Sequence, residues 1–225
     1  MMRLPVVTVP DLAIAGSAER FPVRRIFCVG QNYADHVREM GADPNRDQPF
    51  FFTKPADAIV ASGSVLPFPT CTENLHHEVE LVIALGRGGR DIAAAEAESL
   101  ILGHAVGIDL TRRDLQAEAK KAGRPWDMAK GFDNSAPVGL LRLGAPPATG
   151  AISLTVNGDT RQTGDLSQMI WNVAEIIAAL SRYVELAGGD LIFTGTPAGV
   201  GPVRRGDTVR ASIAGLEPLE IRFAD

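Results

Sequence analysis

The sequence contains little cysteine and no excess of positive charge. Its 225 residues include two cysteines, Cys28 and Cys71, which are too few for a disulfide framework in a chain of this length. They predict a protein of a reducing compartment. The 27 acidic residues outnumber the 22 Lys and Arg residues, which gives a formal net charge of −5. This balance argues against a nucleic-acid-binding protein, since such proteins normally carry a basic patch.

Long apolar runs are also missing. An apolar run such as residues 81–85 is far shorter than the roughly 18 residues that a membrane helix needs. Residues 1–9 contain Arg3 and Pro5 and have no apolar stretch of helical length, so they do not resemble a signal peptide. We therefore expect a cytoplasmic protein without membrane association.

The apolar and turn-forming residues that are present predict one β-rich mixed domain with three or four helices. Strands are predicted at residues 24–30, 50–53, 76–85, 103–110, 190–194, 208–213 and 218–223. Helices are predicted at residues 33–40, 92–101, 111–123 and 165–186, the third opened by a capping box of Thr111 and Asp114. We also expect a polar connection at residues 41–48 and a β-hairpin turn at Asn157 and Gly158.

Two glutamates in the predicted strand 76–85 share one face. Alternate side chains of a strand point the same way, so Glu78 and Glu80 lie together while Val79 points to the other side. The residues that follow are apolar and indicate a buried strand, and buried carboxylates need a compensating charge. A hard cation such as Mg²⁺, Mn²⁺ or Ca²⁺ suits oxygen ligands of this kind. The alternative is an exposed strand end with two solvated acids.

Asp109 ends an apolar strand and is the candidate third oxygen ligand. The sequence has no HExxH or CxxC pattern, which disfavours zinc. His76 and His77 precede Glu78, but adjacent residues of a strand face opposite sides, so only one of them can face the site. We expect these histidines either to support the ligands or to be purely structural.

His36 and Glu39 are spaced to form a general base. Positions three apart are neighbours on a helix, so these two side chains can touch. A carboxylate beside an imidazole sets its tautomer and favours proton uptake, which is what a base needs. The alternative is a surface ion pair.

Two further segments are candidates for binding a charged group. Lys130 lies in the aromatic and glycine-flanked stretch 126–133, where it either stabilises an oxyanion or is solvated. The glycine-rich residues 194–201 follow an apolar strand, and the N–H groups of such turns can bind anions. They are not a phosphate-binding loop, because the GxxxxGK[ST] pattern is absent.

Taken together and in order, these motifs resemble the fumarylacetoacetate hydrolase family, and within it the short acylpyruvate and fumarylpyruvate hydrolases. The motifs are CVGQNYADHxxE from residue 28, FxKP from 52, HxExEL from 76, GxDxTxRDxQ from 107, KxFD from 130 and TGTPxGVG from 194. The resemblance runs from about Arg25 to the C-terminus. It implies an α+β, β-rich fold, a mixed-sheet β-roll or pseudo-barrel, with a lead-in at residues 1–20 and one catalytic domain at residues 21–225. It also implies a homodimer.

The resemblance also assigns roles to residues. It implies Mg²⁺, or Mn²⁺, on Glu78, Glu80 and Asp109. It implies a water-activating dyad of His36 and Glu39 on a helix that orders over the substrate, and Lys130 as the partner of an oxyanion. The implied substrate contacts are Lys54, Arg113, Gln116 and Thr196. Gln31 stands where relatives often carry Arg, which is the one departure in the motifs.

The function that follows is hydrolysis of a C–C bond in fumarylpyruvate or a related acylpyruvate, to pyruvate and an organic acid, in aromatic catabolism. The substrate would be a small anionic 2-oxo or diketo acid. Within the same family the alternatives are a decarboxylase of oxaloacetate or a 2-oxo diacid and a tautomerase or isomerase, and the dyad favours hydrolysis. A non-catalytic 2-oxo acid binding protein is the alternative of another class. It would lack a ligand or a base, and none of these is missing.

Overall fold

A computed structural model of the protein describes residues 4–39, 41 and 48–225. Its strands are β1 (Asp11–Ala13), β2 (Arg20–Pro22), β3 (Arg25–Gly30), β4 (Phe50–Lys54), β5 (Ile59–Ala61), β6 (Ser64–Leu66), β7 (Leu75–His77), β8 (Val79–Leu85), β9 (Ile101–Ile108), β10 (Thr111–Arg112), β11 (Ala136–Val138), β12 (Arg142–Leu143), β13 (Ala151–Val156), β14 (Asp159–Asp165), β15 (Asp190–Phe193), β16 (Gly201–Val203), β17 (Thr208–Ile213) and β18 (Leu219–Phe223). Its helices are α1 (Ala34–Glu39), α2 (Ala94–Ala97), α3 (Arg113–Ala122), α4 (Asp127–Lys130) and α5 (Val173–Ser181). Short 3₁₀ turns occupy Ala56–Ala58, Glu98–Leu100 and Leu166–Gln168.

Within the described residues the strands form four sheets. The largest follows the order β4-β3-β15-β8-β9-β11-β5, with β12 paired to β9, and it curls into a half-barrel. A second sheet has the order β14-β13-β17-β18-β6, a third has the order β10-β7-β16, and β1 pairs with β2. The strand-rich α+β class expected from the sequence is thereby confirmed. None of the described helices has both the length and the apolar character of a membrane span.

The curled sheet is buried on both faces. Every residue of β8 is buried, and its side chains divide by parity. Leu81 and Ile83 pack in a core shared with the second sheet, whereas Val82 and Ala84 pack in a core on the other face. Glu80 has the parity of Val82, so the strand carries this carboxylate on the opposite face to the larger core.

Part of the predicted lead-in belongs to the second of these cores. Strand β1 pairs with β2 in antiparallel register, and Leu12 and Ile14 are buried beside residues of the large sheet. The division at residue 20 stays a prediction, and these contacts favour a folded unit that begins before it.

Several predicted elements are confirmed with small shifts of their ends. The strands at β3, β4, β9, β15, β17 and β18 and the helices α1 and α3 lie where the apolar pattern places them. The hairpin of β13 and β14 turns at Asn157 and Gly158, whose φ angles of 54° and 88° are those that this pair of residues tolerates. Of the predicted polar connection at residues 41–48, residues 42–47 lie outside the described part.

The expected helix at residues 165–186 is wrong over its first half. Strand β14 continues to Asp165, a 3₁₀ turn follows, and α5 covers only Val173–Ser181. Two capping boxes in succession explain the delay, because Asp165 caps the 3₁₀ turn and Asn172 caps α5. Residues 166–171 therefore form a 3₁₀ turn and a short connection, and they do not belong to the helix.

The expected capping box of Thr111 and Asp114 is also wrong. Thr111 lies in β10, and the cap position of α3 is Arg112, which makes no side-chain cap. The Asp114 carboxylate instead accepts hydrogen bonds from the Thr72 hydroxyl at 2.7 Å and the Glu73 N–H at 2.9 Å. Asp114 therefore joins the start of α3, where the Leu115 N–H donates to it at 2.9 Å, to a distant loop.

Candidate metal and active site

Three buried carboxylates meet where two strands end. Glu80 lies in β8, Glu78 lies immediately before it, and Asp109 follows β9. One oxygen from each lies within 4.8 Å of the others, and their residues are 2%, 5% and 0% exposed for Glu80, Glu78 and Asp109. The antiparallel register of β8 and β9 brings them together, since the Asp109 N–H donates to the Glu78 carbonyl at 2.9 Å.

The continuous strand expected at residues 76–85 is wrong at one position. The chain breaks at Glu78, so that β7 belongs to the small sheet with β10 and β16 while β8 belongs to the curled sheet. The Val79 N–H donates to the side chain of Gln162 and so leaves the strand ladder at this point. Glu78 therefore sits at a junction between two sheets, with its side chain still beside that of Glu80.

Cations compensate two of the three carboxylates. The Lys130 Nζ atom donates to Glu78 Oε2 at 2.9 Å, to Asp109 Oδ2 at 2.7 Å and to the Thr111 hydroxyl at 2.6 Å, and Arg113 donates to the other oxygen of Glu78. Burial alone would raise the pKa of Glu78, but Lys130 and Arg113 hold it below its usual value. Despite its own burial, Lys130 has a raised pKa because of Asp109 and Glu78.

Glu80 is the carboxylate without such a partner. Its Oε2 atom accepts from the Gly195 N–H at 2.7 Å, and in the described part of the chain it forms no ion pair with Lys, Arg or His. Burial, Asp109 and Glu78 together raise its pKa well above the usual value. An all-oxygen set with one uncompensated buried carboxylate fits a hard divalent cation.

His36 and Glu39 are brought together on α1. The His36 Nδ1 and Glu39 Oε2 atoms are 3.2 Å apart, and the imidazole is almost fully buried. The Gly199 N–H donates to both oxygens of Glu39, at 3.0 and 3.2 Å. Because Nδ1 faces the carboxylate, Nε2 is the nitrogen left to take up a proton.

The glycine-rich segment 194–201 binds anions, and they are the protein's own carboxylates. Its N–H groups hold Glu80 through Gly195 and Glu39 through Gly199, so it links the acidic cluster to the dyad. Gly195 has φ of +96° and approaches Asn32 so closely that a Cβ would lie 2.6 Å from the Asn32 Cβ. Asn32 in turn donates to the Thr194 carbonyl at 2.7 Å, just before α1 begins. Sequence reasoning missed Asn32, since its partners, the backbones of Thr194 and Trp171, are distant in the chain.

A polar cavity of about 50 Å³ unites most of the predicted site residues. Its lining includes His36, Glu78, Glu80, Lys130, Arg113, Gln116 and Thr196, with Gln31, Lys120 and aromatic side chains at its sides. A second cavity of about 440 Å³ adjoins it and shares Phe50, Phe52, Trp126 and Lys130 with it. The sequence did not single out Lys120, although its spacing from Arg113 and Gln116 puts all three on one face of α3.

Lys54 is placed behind the cluster and does not line either cavity. Its Nζ atom lies 2.8 Å from Asp109 Oδ1 and donates to the carbonyls of Leu110 and Lys130. The side chain is fully buried. Its ion pair and hydrogen bonds are therefore with Asp109, with the backbone of the next residue and with the backbone of Lys130.

Neither neighbouring histidine belongs to the acidic cluster. His77 is buried and its Nδ1 atom lies 3.0 Å from Gln162 Oε1, while burial lowers its pKa. His76 accepts from Arg113 at 3.3 Å and contacts Asn74 at 2.9 Å. Burial and the Arg113 charge lower the pKa of His76 to about 4.

Comparison with known proteins finds relatives that match most of the chain. A crystal structure of fumarylpyruvate hydrolase from Pseudomonas aeruginosa in complex with Mn²⁺ and pyruvate is 51% identical, covers 99% of both chains and superposes with a TM-score of 0.95. A fumarylpyruvate hydrolase of Ralstonia sp is 42% identical over 80% of this chain and 94% of its own length. A mitochondrial oxaloacetate tautomerase of Homo sapiens is 43% identical over 88% of this chain and 91% of its own.

The family model for the fumarylacetoacetate hydrolase C-terminal domain matches residues 25–224. That match spans nearly the whole chain and includes the acidic cluster, the dyad and Lys130. The resemblance drawn from the motifs is therefore confirmed, and this chain belongs to the fumarylacetoacetate hydrolase family.

Proposed function

We propose that this protein is a metal-dependent hydrolase that cleaves a C–C bond in fumarylpyruvate or a related acylpyruvate. The observation that carries the proposal is that His36, which is paired with Glu39, lines one cavity together with Glu78 and Glu80 of the acidic cluster. A base and an acidic cluster on the same cavity are what metal-assisted attack by water requires. The likeness to two fumarylpyruvate hydrolases supports the substrate class.

Glu78, Glu80 and Asp109 are the residues that would hold the metal. Their oxygen ligands suit Mg²⁺ or Mn²⁺, and a bound ion would polarise a 2-oxo acid and stabilise an enolate leaving group. The Mn²⁺ bound by the relative from Pseudomonas aeruginosa supports a metal of this kind.

In the proposed reaction His36 removes a proton from water at Nε2, while Glu39 stabilises the imidazolium that forms. The oxygen of that water attacks the carbonyl carbon distal to the pyruvyl end, and its carbonyl oxygen becomes an oxyanion. Lys130 is the donor we assign to this oxyanion, and removal of one such donor typically costs about 3–4 kcal/mol. When the C–C bond breaks, its electron pair forms the enolate of pyruvate. This enolate takes the proton back from the His36 imidazolium, which gives pyruvate and the organic acid.

Substrate contacts are assigned by position around the cavity. Arg113, Gln116 and Thr196 line the polar cavity and can contact the carboxylate and oxo groups. The adjoining aromatic cavity suits the planar, unsaturated acyl group. We propose that Lys54 holds Asp109 in place and does not touch substrate, because its ion pair and its hydrogen bonds are with Asp109 and backbone carbonyls.

Purified protein with Mn²⁺ and fumarylpyruvate tests the function. We expect the ultraviolet absorbance of fumarylpyruvate to fall, with release of one pyruvate and one fumarate. Unchanged absorbance with this substrate and with acetylpyruvate would refute the hydrolase. Release of CO₂ from oxaloacetate would instead support a decarboxylase, and binding of pyruvate without any turnover would support a binding protein.

A tautomerase is the second candidate, since the relative from Homo sapiens is named an oxaloacetate tautomerase. The same His36 could move a proton between carbon and oxygen of a 2-oxo diacid. Proton exchange at C3 of oxaloacetate, followed by NMR without change of carbon skeleton, distinguishes this activity from hydrolysis.

We further propose that the protein acts as a cytoplasmic homodimer in aromatic catabolism, with Mg²⁺ as the metal in the cell. The dimer, the pathway and Mg²⁺ follow from the family resemblance, and the location follows from the sequence of residues 1–9 and the short apolar runs. Sedimentation velocity checks the dimer, and metal analysis of protein purified from its own source without added salts checks Mg²⁺.

A further inference from the structure

A buried glutamine of the second sheet reaches the cavity from behind. Gln162 lies in β14, opposite Leu154 of β13, and has no exposed surface. The register of the two strands shifts beside it, since Leu154 pairs with Gln162 and Thr155 pairs with Thr160. Such a bulge re-aims the neighbouring side chains. The side chain of Gln162 thus extends away from its own sheet and contacts two segments of the candidate active site, at Val79 and at Thr196.

All the hydrogen-bonding capacity of the Gln162 carboxamide is used. Its Oε1 atom accepts from the Val79 N–H at 3.0 Å and faces His77 Nδ1 at 3.0 Å. Its Nε2 atom donates to the Thr196 hydroxyl oxygen at 2.8 Å and to the Pro197 carbonyl at 2.9 Å. The positions of the amide oxygen and nitrogen are fixed, because the Val79 N–H must donate and the Pro197 carbonyl must accept.

This arrangement determines the direction of the Thr196 hydroxyl. A hydroxyl group has one hydrogen to donate, and the Thr196 oxygen already receives a hydrogen from Gln162. Its own hydrogen is therefore free to point elsewhere, and Thr196 lines the polar cavity beside Glu78 and Glu80. The 3% exposure of Thr196 leaves little competition from bulk water.

We infer that Gln162 is a positioning residue, which turns the Thr196 hydroxyl into a hydrogen-bond donor for a carboxylate of the substrate. Gln162 does not touch the substrate, and it acts through Thr196. The inference rests on the proposed function through one premise, that the cavity takes a carboxylate beside the metal ligands. A carboxylate accepts hydrogen bonds and cannot donate them, so a Thr196 hydroxyl turned the other way would lose this contact.

Pyruvate binding to the Mn²⁺-loaded protein is the test, measured by titration calorimetry. We expect Thr196→Val to weaken pyruvate binding by about tenfold or more, the value of a hydrogen bond to a charged group. Gln162→Met, which keeps the volume and removes the amide, should weaken it by a similar factor. Thr163→Val, an exposed change on the same strand, is the control and should bind pyruvate like the unaltered protein.

The double variant separates positioning from a purely structural role. If Gln162 acts through Thr196, Gln162→Met combined with Thr196→Val should bind pyruvate about as weakly as either single variant. Additive losses, or wild-type affinity in Gln162→Met, would overturn the inference. Mn²⁺ affinity should stay within about threefold in all variants, and a larger change in Gln162→Met would also count against it, by showing that the metal ligands had moved.

Two outcomes keep the inference and the proposed function distinguishable. Failure of the unaltered protein to bind pyruvate would refute the shared premise, whereas normal binding that Gln162→Met leaves intact would refute only the role of Gln162. If Gln162→Met does not fold, Gln162→Glu supplies the comparison. The ionised carboxylate of that variant can only accept hydrogen bonds, so the Thr196 hydrogen should turn toward it. Pyruvate affinity should then fall as in Thr196→Val, and unchanged affinity would overturn the inference.

Discussion

Lys130 bridges two acids of the cluster, Glu78 and Asp109, and its removal should show what this bridge contributes to stability. The Lys130 side chain is 3% exposed and donates to Glu78 and Asp109, whereas the third acid, Glu80, forms no ion pair among the described residues. In Lys130→Met the aliphatic volume is kept and the charge is lost. Removing one partner of a buried ion pair typically costs about 3–5 kcal/mol. For a chain of this size that corresponds to a fall of about 6–20 °C in the unfolding midpoint.

Thermal unfolding followed by circular dichroism, with EDTA and again with saturating Mn²⁺, is the measurement. We expect the large fall in EDTA, and we expect Mn²⁺ to raise the midpoint of Lys130→Met by more than it raises that of the unaltered protein. The reason is that a divalent cation replaces the missing charge only in the variant. Lys121→Met, an exposed change on α3, is the control and should shift the midpoint by a degree or two at most, that is by about 0.5 kcal/mol or less. Equal midpoints in EDTA for the unaltered protein and Lys130→Met would refute the reasoning.

Three further predictions concern neighbouring groups. Glu80→Gln should raise the unfolding midpoint in EDTA, because the raised pKa marks a destabilising buried charge, and calorimetry should show Mn²⁺ affinity reduced by at least about 100-fold. His36→Ala should lower kcat by about 10²–10⁴-fold with Mn²⁺ affinity unchanged, and equal activity would contradict its role as base. His76 has a pKa lowered to about 4, so the unfolded chain binds its proton first as the pH falls from about 6.5, and the folded state loses stability across that window. The full shift corresponds to about 3.4 kcal/mol, which partial exposure reduces to about 1–2 kcal/mol, and urea titrations should show a shallower loss in His76→Gln.

Residue patterns predicted the parts of the site that lie on regular elements. The alternation of β8 placed Glu80 on one face with Val82, and helical spacing brought His36 to Glu39. These relations are local, because a strand or a helix determines them over two or three residues. The contact of Asp109 with the two glutamates required the register of β8 with β9, which spacing in the chain does not contain.

The residues that were missed or placed differently all depend on contacts between distant segments. Asn32, Gln162 and Lys54 are buried polar side chains whose partners lie 34 to 162 positions away in the chain. A buried polar group is stable only when it is hydrogen-bonded, but the sequence does not say which strand supplies the bond. The same reasoning explains the false capping box, since the Asp114 carboxylate accepts from the Thr72 hydroxyl and the Glu73 N–H of a distant loop.

The break in the strand at Glu78 connects the acidic cluster to the glycine-rich segment 194–201. In a continuous strand the Val79 N–H would pair with a neighbouring strand, and no group of β14 could reach the chain between the two glutamates. Because the chain leaves one sheet and enters another here, Gln162 can hold the Val79 N–H and the Thr196 hydroxyl at once. Val79, which lies between Glu78 and Glu80, is therefore linked through Gln162 to the glycine-rich segment 194–201. The N–H groups of that segment hold Glu80 and Glu39. Acid cluster, base and substrate contact are thus tied to one another through hydrogen bonds from segments that the sequence keeps far apart.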